Sequence, residues 1–207
     1  GGDPIAVARE QISLLWRDPQ LTRFIAARGL LIATALAPPF LLALAGREQG
    51  PQLGQLGLFV VASALAGMTG GYVWGRLSDK SSRKVLMLSA VAAALVLGTA
   101  ALLAVIAIPL LSETFVAPAL LFVLMIAYQG VRLGRSTHIV DMAAREDRAN
   151  YTALSNTLVG LLLLAGGLFG LLAEVAGEAA VLGVFAVMCA LAVPVAAGLR
   201  EEQTPED

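Results

Sequence analysis

The sequence predicts an all-α membrane protein, a bundle of six transmembrane helices, and three observations carry that prediction. Hydrophobic residues make up 58% of the 207 residues and charged residues only 14%, where a soluble domain carries about 25% charged. The apolar residues fall in long blocks, each reaching the ~20 residues that a helix needs to cross ~30 Å of hydrocarbon at 1.5 Å per residue. The basic residues gather on alternate ends of those blocks, the distribution that fixes sidedness in a membrane.

Residues 1–20 read as an N-terminal linker. Within it Ile5, Ala8, Ile12 and Leu15 share one helical face and Arg9, Glu10 and Ser13 lie mostly elsewhere, the pattern of a short interfacial helix; an irregular linker is the plainer reading. The opening Gly1-Gly2-Asp3-Pro4 has no initiator Met and no signal-peptide pattern, so the molecule is expected to extend further at its N-terminus. The transmembrane domain covers residues 21–199, with spans over residues 21–45, 53–73 (or on to 76), 85–109, 115–139, 151–173 and 179–199. Residues 200–207 form an acidic tail containing Pro205, expected to be disordered.

Inside the spans, Pro38-Pro39 predicts a kink or break in span one, because each proline removes a donor and clashes with the preceding turn. Pro109, Pro118 and Pro194 lie nearer span ends. Small residues recur at four-residue spacing in Gly67, Gly71 and Gly75, in Gly130 and Gly134, and in Gly166 and Gly170. Lipid supplies little hydrophobic drive for helix association, so small residues gain contact by letting backbones approach. Static packing and a sliding interface on span two both fit.

Arg9, Arg17, Arg23 and Arg28 are counted ahead of span one. Arg76, Lys80, Arg83 and Lys84 follow span two, Arg132, Arg135, Arg145 and Arg148 stand at or after the end of span four, and Arg200 follows span six. Of the 14 Lys and Arg residues only Arg47 lies on the other side, among Glu48, Glu113, Glu174 and Glu178. The positive-inside rule then places both termini and the two basic loops in the cytoplasm.

Chemistry-bearing sets are scarce. Cys189 is the single cysteine, so there is no internal disulfide. One Cys and one His cannot assemble a metal cluster, no nucleophile triad is apparent, and no phosphate-binding loop follows Gly70-Gly71. No cofactor is expected, an enzyme is not expected, and topology accounts for the basic residues without nucleic acid. What remains is span four, with Gln129, Arg132, Arg135 and His138. Arg132 lies about 7 residues, roughly 10 Å, inside Ile139. At that depth a guanidinium snorkels, pairs or lines an aqueous cavity. Its two readings are contact with an anionic or polar substrate at a cavity or gate, and anchoring to headgroups; Arg135 shares them. His138 reads as an interfacial or packing histidine before a proton relay. Asn156, with Ser155 and Thr157, either faces the cavity or bonds across helices. No Asp or Glu stands near the middle of a span, so proton coupling lies elsewhere in the molecule or is not used.

The ten residues from Gly75 to Lys84, Gly-Arg-Leu-Ser-Asp-Lys-Ser-Ser-Arg-Lys, resemble the signature loop of the major facilitator superfamily, G-x-x-x-D-[RK]-x-G-[RK]-[RK]. Gly75, Asp79, Lys80, Arg83 and Lys84 match, and Ser82 stands where the pattern has Gly. The loop's place between spans two and three is also the family's. The stretch from Asp141 to Thr157 resembles bacterial members, which implies the inner membrane of a bacterial cell. The resemblance implies one six-helix half, the C-terminal one, of a secondary transporter that moves a small solute by alternating access. Its partners would be the missing N-terminal half, membrane lipid and a small-molecule substrate, with a homodimer as the alternative if the chain is complete. The resemblance also implies that Asp79 meets the start of the fifth helix near Asn150-Tyr151, in a gating charge network with Lys80, Arg83 and Lys84; a carboxylate is independently favoured at a helix N-terminus. Arg83 and Lys84 would pair with acids such as Glu146 or Asp147, or meet anionic lipid. A non-transporting membrane scaffold or receptor with the same fold is the alternative reading.

Overall fold

Lipid offers a peptide group no hydrogen-bond partner, so each apolar block must satisfy its own backbone, and helix is the local solution. In the computed structural model, which describes residue 13 and residues 15–46, 53–142 and 148–200, every regular element is a helix and six helical segments are long and apolar enough to cross a membrane. Span one consists of α1 (Pro19–Leu31) and α2 (Ala33–Ala45), span two of α3 (Leu53–Ser78) and span three of α4 (Ser82–Ile106). After a one-turn helix α5 (Ile108–Leu111), span four is α6 (Val116–Met142), span five is α7 (Arg148–Ala165) with α8 (Leu168–Ala176), and span six is α9 (Glu178–Ala197). The expected interfacial helix over residues 5–16 and the tail 201–207 fall largely or wholly outside the described residues.

Two predicted boundaries move for identifiable reasons. Span three stops at Ile106, because Pro109 cannot donate to the turn below; Ala107 leaves helical geometry at φ −151° and Pro109 instead sits in the first turn of α5. Span one is interrupted at Ile32, upstream of Pro38 and Pro39, which both sit inside α2. The interruption is tight: the Ala35 N–H reaches the Ile32 carbonyl at 2.9 Å and the Thr34 hydroxyl donates to the Leu31 carbonyl at 2.8 Å. Span five breaks as well, at Gly166-Gly167 between α7 and α8.

Spans three and six form the densest seam. Leu86, Ala90, Ala93, Leu97 and Ala100 of α4, and Leu182, Phe185, Cys189, Ala192 and Ala196 of α9, are buried at alternating three- and four-residue steps, so each helix presents one stripe to the other. Span four packs on spans two and three, and span one packs on span six. Span five is the least buried of the six. It touches α1 through a small separate cluster of Leu21, Ile25 and Leu154, and α9 through Phe169 stacked edge-on to Phe185 at 4.6 Å.

The glycine series divides in two. Gly130 of α6 makes room for the Trp74 ring, which a Cβ there would meet at 2.7 Å, and Trp74 Nε1 donates to the Ile126 carbonyl at 2.8 Å. A Cβ on Gly134 would meet Leu86 and Val85 at about 3.1 Å, and one on Gly70 would meet Gln129 at 3.0 Å. Gly71, Gly75 and Gly170 meet nothing within 4 Å. Close approach therefore holds spans two, three and four together, while Gly71 and Gly75 line an open face. Gly130→Val is expected to lower the thermal midpoint by several degrees, since overpacking costs ~1–3 kcal/mol. Gly98→Ala, whose Cβ would sit at an ordinary 3.9 Å from Ala186, leaves the midpoint unchanged or slightly raised. Equal midpoints for the two variants in a detergent melt would refute the close-approach account.

Candidate functional site

The charged turn is pinned at both flanks. Ser78, the last residue of α3, shares a 2.8 Å hydrogen bond with Thr137 of α6. Ser81 is extended and its hydroxyl accepts from the Lys84 N–H at 3.1 Å, capping α4. Ser82 is the buried first residue of α4 and bonds His138 Nδ1 at 3.0 Å, while Phe24 stacks on the same imidazole at 5.3 Å. No described residue other than glycine has a positive φ, so serine in place of the pattern's glycine fits the turn without strain and adds a bond to span four. Arg83 donates to the Leu199 carbonyl at 3.4 Å, at the end of α9 where a helix carries partial negative charge. Asp79 and Lys80 are exposed on the turn, Lys84 is exposed in the first turn of α4, and Gly75 sits in the last turn of α3. Arg145, Glu146 and Asp147 lie outside the described residues, as does the side chain of Asp141.

A carboxylate stands at the beginning of span five, and it comes from Asp18. Asp18 Oδ1 accepts from the Gln20 and Leu21 N–H groups at 2.8 and 3.2 Å, capping α1, and Oδ2 accepts from the Tyr151 hydroxyl at 2.9 Å. One side chain thus starts span one and holds the start of span five.

Deeper along span one, Arg28 corrects the charge count made from sequence. It lies inside span one, nine positions after Pro19 or about 14 Å along the helix, and is only 7% exposed. Its guanidinium donates to the Ser155 hydroxyl and, at 3.0 Å, to Asn156 Oδ1, and it lies 5.7 Å from the Phe24 ring centroid. Asn156 and Ser155 therefore bond across helices. Because the partners lie 127 and 128 positions away, no local pattern announces them. The available signal was depth alone: Arg28 follows seven residues of an apolar block.

Arg132 and Arg135 of α6 join Arg28. The three line a pocket of about 220 Å³ with Thr34, Tyr128 and Val159. On the other flank of α6, Arg132 and Arg135 also line a groove of about 510 Å³ with Gln129, Ser136, Gly71 and Gly75. Span four thus carries two arginines as a ridge between two concavities, and the second runs toward the charged turn. Among the described residues no acidic side chain lines either concavity. Of the expected cavity residues, the structure brings Arg132, Arg135 and Asn156 together around Arg28 and places Gln129 across the ridge against Gly67 and Gly70. A cavity of about 840 Å³ between spans one, five and six is lined almost entirely by apolar residues, with Thr22 its one polar side chain among the described residues.

Six apolar spans, a basic turn after the second and a polar ridge on the fourth restrict the choice of family severely. The family model described as Major Facilitator Superfamily matches residues 24–207. The chain belongs to the major facilitator superfamily. No curated protein and no solved structure matches it significantly. This major facilitator chain is a multi-pass membrane protein of a family of secondary transporters. Among its described residues no group of three or more His, Cys, Asp or Glu is placed to hold a metal.

The Asp18 contact generates a local prediction. Asp18→Ala removes a helix cap, a change that typically costs ~0.5–2 kcal/mol, and the bond to Tyr151. Hydrogen exchange is expected to speed up in the first turns of both α1 and α7, with the α4–α9 seam unchanged. Faster exchange at α1 alone would show that Asp18 does not hold span five.

Proposed function

We propose that the chain is the C-terminal half of a secondary transporter that moves a small solute by alternating access, with both termini in the cytoplasm. The observation that carries this reading is the open face built on α6, where Arg132 and Arg135 stand between two concavities and beside the unobstructed Gly71 and Gly75. A membrane bundle leaves polar groups uncovered where they line an aqueous path, and a second six-helix unit against this face encloses that path. The N-terminal half of the same transporter is that unit, with a second copy of this chain as the alternative partner. Transport follows from rocking of one unit against the other around the enclosed site.

Asp79, Lys80, Arg83 and Lys84 are the gating elements in this reading. Their turn sits between the last residue of α3 and the capped start of α4, and its flanks bond to α6 and to the end of α9. A movement of the cytoplasmic end of span two is therefore transmitted to three helices. Asp79 supplies a charge whose interactions differ between the two access states, with the start of span five as its site in one of them.

Asp79→Asn in the complete transporter is expected to slow solute counterflow about tenfold, the size of a ~1–3 kcal/mol coupling between states. Membrane insertion and yield stay at the wild-type level. Wild-type counterflow in that variant would remove Asp79 from the gate, and failure of the complete protein to exchange any solute would remove the transport reading.

A further inference from the structure

The three arginines pose a charge problem that the described residues leave open. Arg28, Arg132 and Arg135 converge on one pocket. Among the described residues the hydrogen-bond partners of Arg28 are neutral, the Ser155 hydroxyl and the Asn156 carbonyl oxygen. These oxygens solvate a guanidinium without cancelling its charge. No hydrogen bond or ion pair engages the guanidinium of Arg132 or Arg135 among the described residues, and neither pocket flanking them contains a carboxylate. Like charges that line one pocket repel one another, and solvent screens that repulsion less at the buried Arg28 than it would in open water. An arrangement that costs energy when empty is stabilised by whatever brings the opposite sign.

We propose that the pocket bounded by Arg28, Arg132 and Arg135 binds the carboxylate or phosphate group of an anionic substrate, the three guanidiniums supplying its countercharge. This deepens the transport reading and rests on it. Roles differ by burial. Arg28 is fixed in direction by Ser155 and Asn156 and sets the floor of the site. Arg132 is exposed and Arg135 half-buried, so both are free to swing onto the anion as it enters; planar guanidiniums match carboxylate and phosphate oxygens in bidentate fashion. Tyr128 lines the same pocket and adds a hydroxyl donor, whereas the buried Thr34 hydroxyl donates to the Leu31 carbonyl. Since Arg132 and Arg135 also face the second groove, an anion passes from one concavity to the other without losing its countercharge.

The test uses the complete transporter in phosphatidylcholine nanodiscs. Thermal midpoints are measured alone and with inorganic phosphate, citrate, glucose or choline chloride at constant ionic strength. Phosphate or citrate is expected to raise the midpoint by several degrees, with no shift from glucose or choline. Arg132→Gln and Arg135→Gln should each weaken the anion's apparent affinity roughly tenfold, the scale of one charge-assisted bond. Without ligand, both variants should melt at or above the wild-type midpoint, because a repulsive charge has been removed. Three results overturn the proposal: no shift from either anion, unliganded Gln variants that melt below wild type because acids of the other half already pair these arginines, or a shift that appears only when phosphatidylglycerol is added, which assigns the site to a lipid headgroup. Counterflow of an uncharged or cationic solute by a protein that binds neither anion overturns the anionic class and leaves the transporter standing. Anion binding without counterflow of that anion does the reverse.

Discussion

A guanidinium inside an apolar bundle must be surrounded by oxygen atoms, and the way Arg28 meets that requirement organises half of the molecule. Its oxygens come from Ser155 and Asn156 on α7, the helix of the span that buries least. Bonds from a charged donor contribute about 1.5–3 kcal/mol each, and leaving such a donor unmet in hydrocarbon costs more. Span five has little apolar contact to hold it: the cluster of Leu21, Ile25 and Leu154 is small, and an apolar cavity separates much of the remainder from span one. Polar tethers at Asp18 and Arg28 take the place of a packed seam.

The other side of the bundle is built on the opposite principle. Spans three and six meet through regular stripes of Leu, Ala and Phe, and spans two, three and four close on one another where Gly130 and Gly134 remove side chains from the path. Polar bonds there are few: Trp74 donates to the Ile126 carbonyl, and Ser78 and Ser82 at the charged turn bond Thr137 and His138. A rigid slab of spans two, three, four and six thus carries a more loosely held span five, with span one bridging them. The ridge of Arg132 and Arg135 rises from the rigid part, and Arg28 reaches the same pocket from the bridge.

The fold was legible because its signal is repetitive. Twenty apolar residues in a row, six times, with basic residues at alternate ends, leave few architectures, and the family pattern at Gly75 to Lys84 narrows them to one. Position 82 shows how a motif under-describes a turn. Glycine in the pattern suggests a conformation that serine would strain, whereas here Ser82 begins a helix and gains His138 as a partner. The polar site was legible only where residues sit close in sequence. Arg132 and Arg135 share a face of one helix, so their pairing could be read from spacing. Arg28, Ser155 and Asp18 could not, because each acts on a helix more than a hundred residues away, and a basic residue near the start of an apolar block has the same sequence signature whether it faces headgroups or the bundle interior. Pro38 and Pro39 likewise announced an irregular span one without locating it, since the chain yields at Ile32, upstream of both.

The separation of 127 positions between Arg28 and Ser155 also sets a schedule for biosynthesis. Span one leaves the ribosome long before α7 exists, and at ~5–20 residues per second the interval is roughly 6–25 s. Throughout that time Arg28 has neither of its hydrogen-bond partners on α7. An arginine near mid-span opposes insertion by about 2.5–3.5 kcal/mol on translocon scales, so the Leu, Ile, Phe and Ala residues around it must carry the segment in unaided. The bonds that tie span five to span one therefore close only when α7 arrives, so this polar contact is completed late in synthesis.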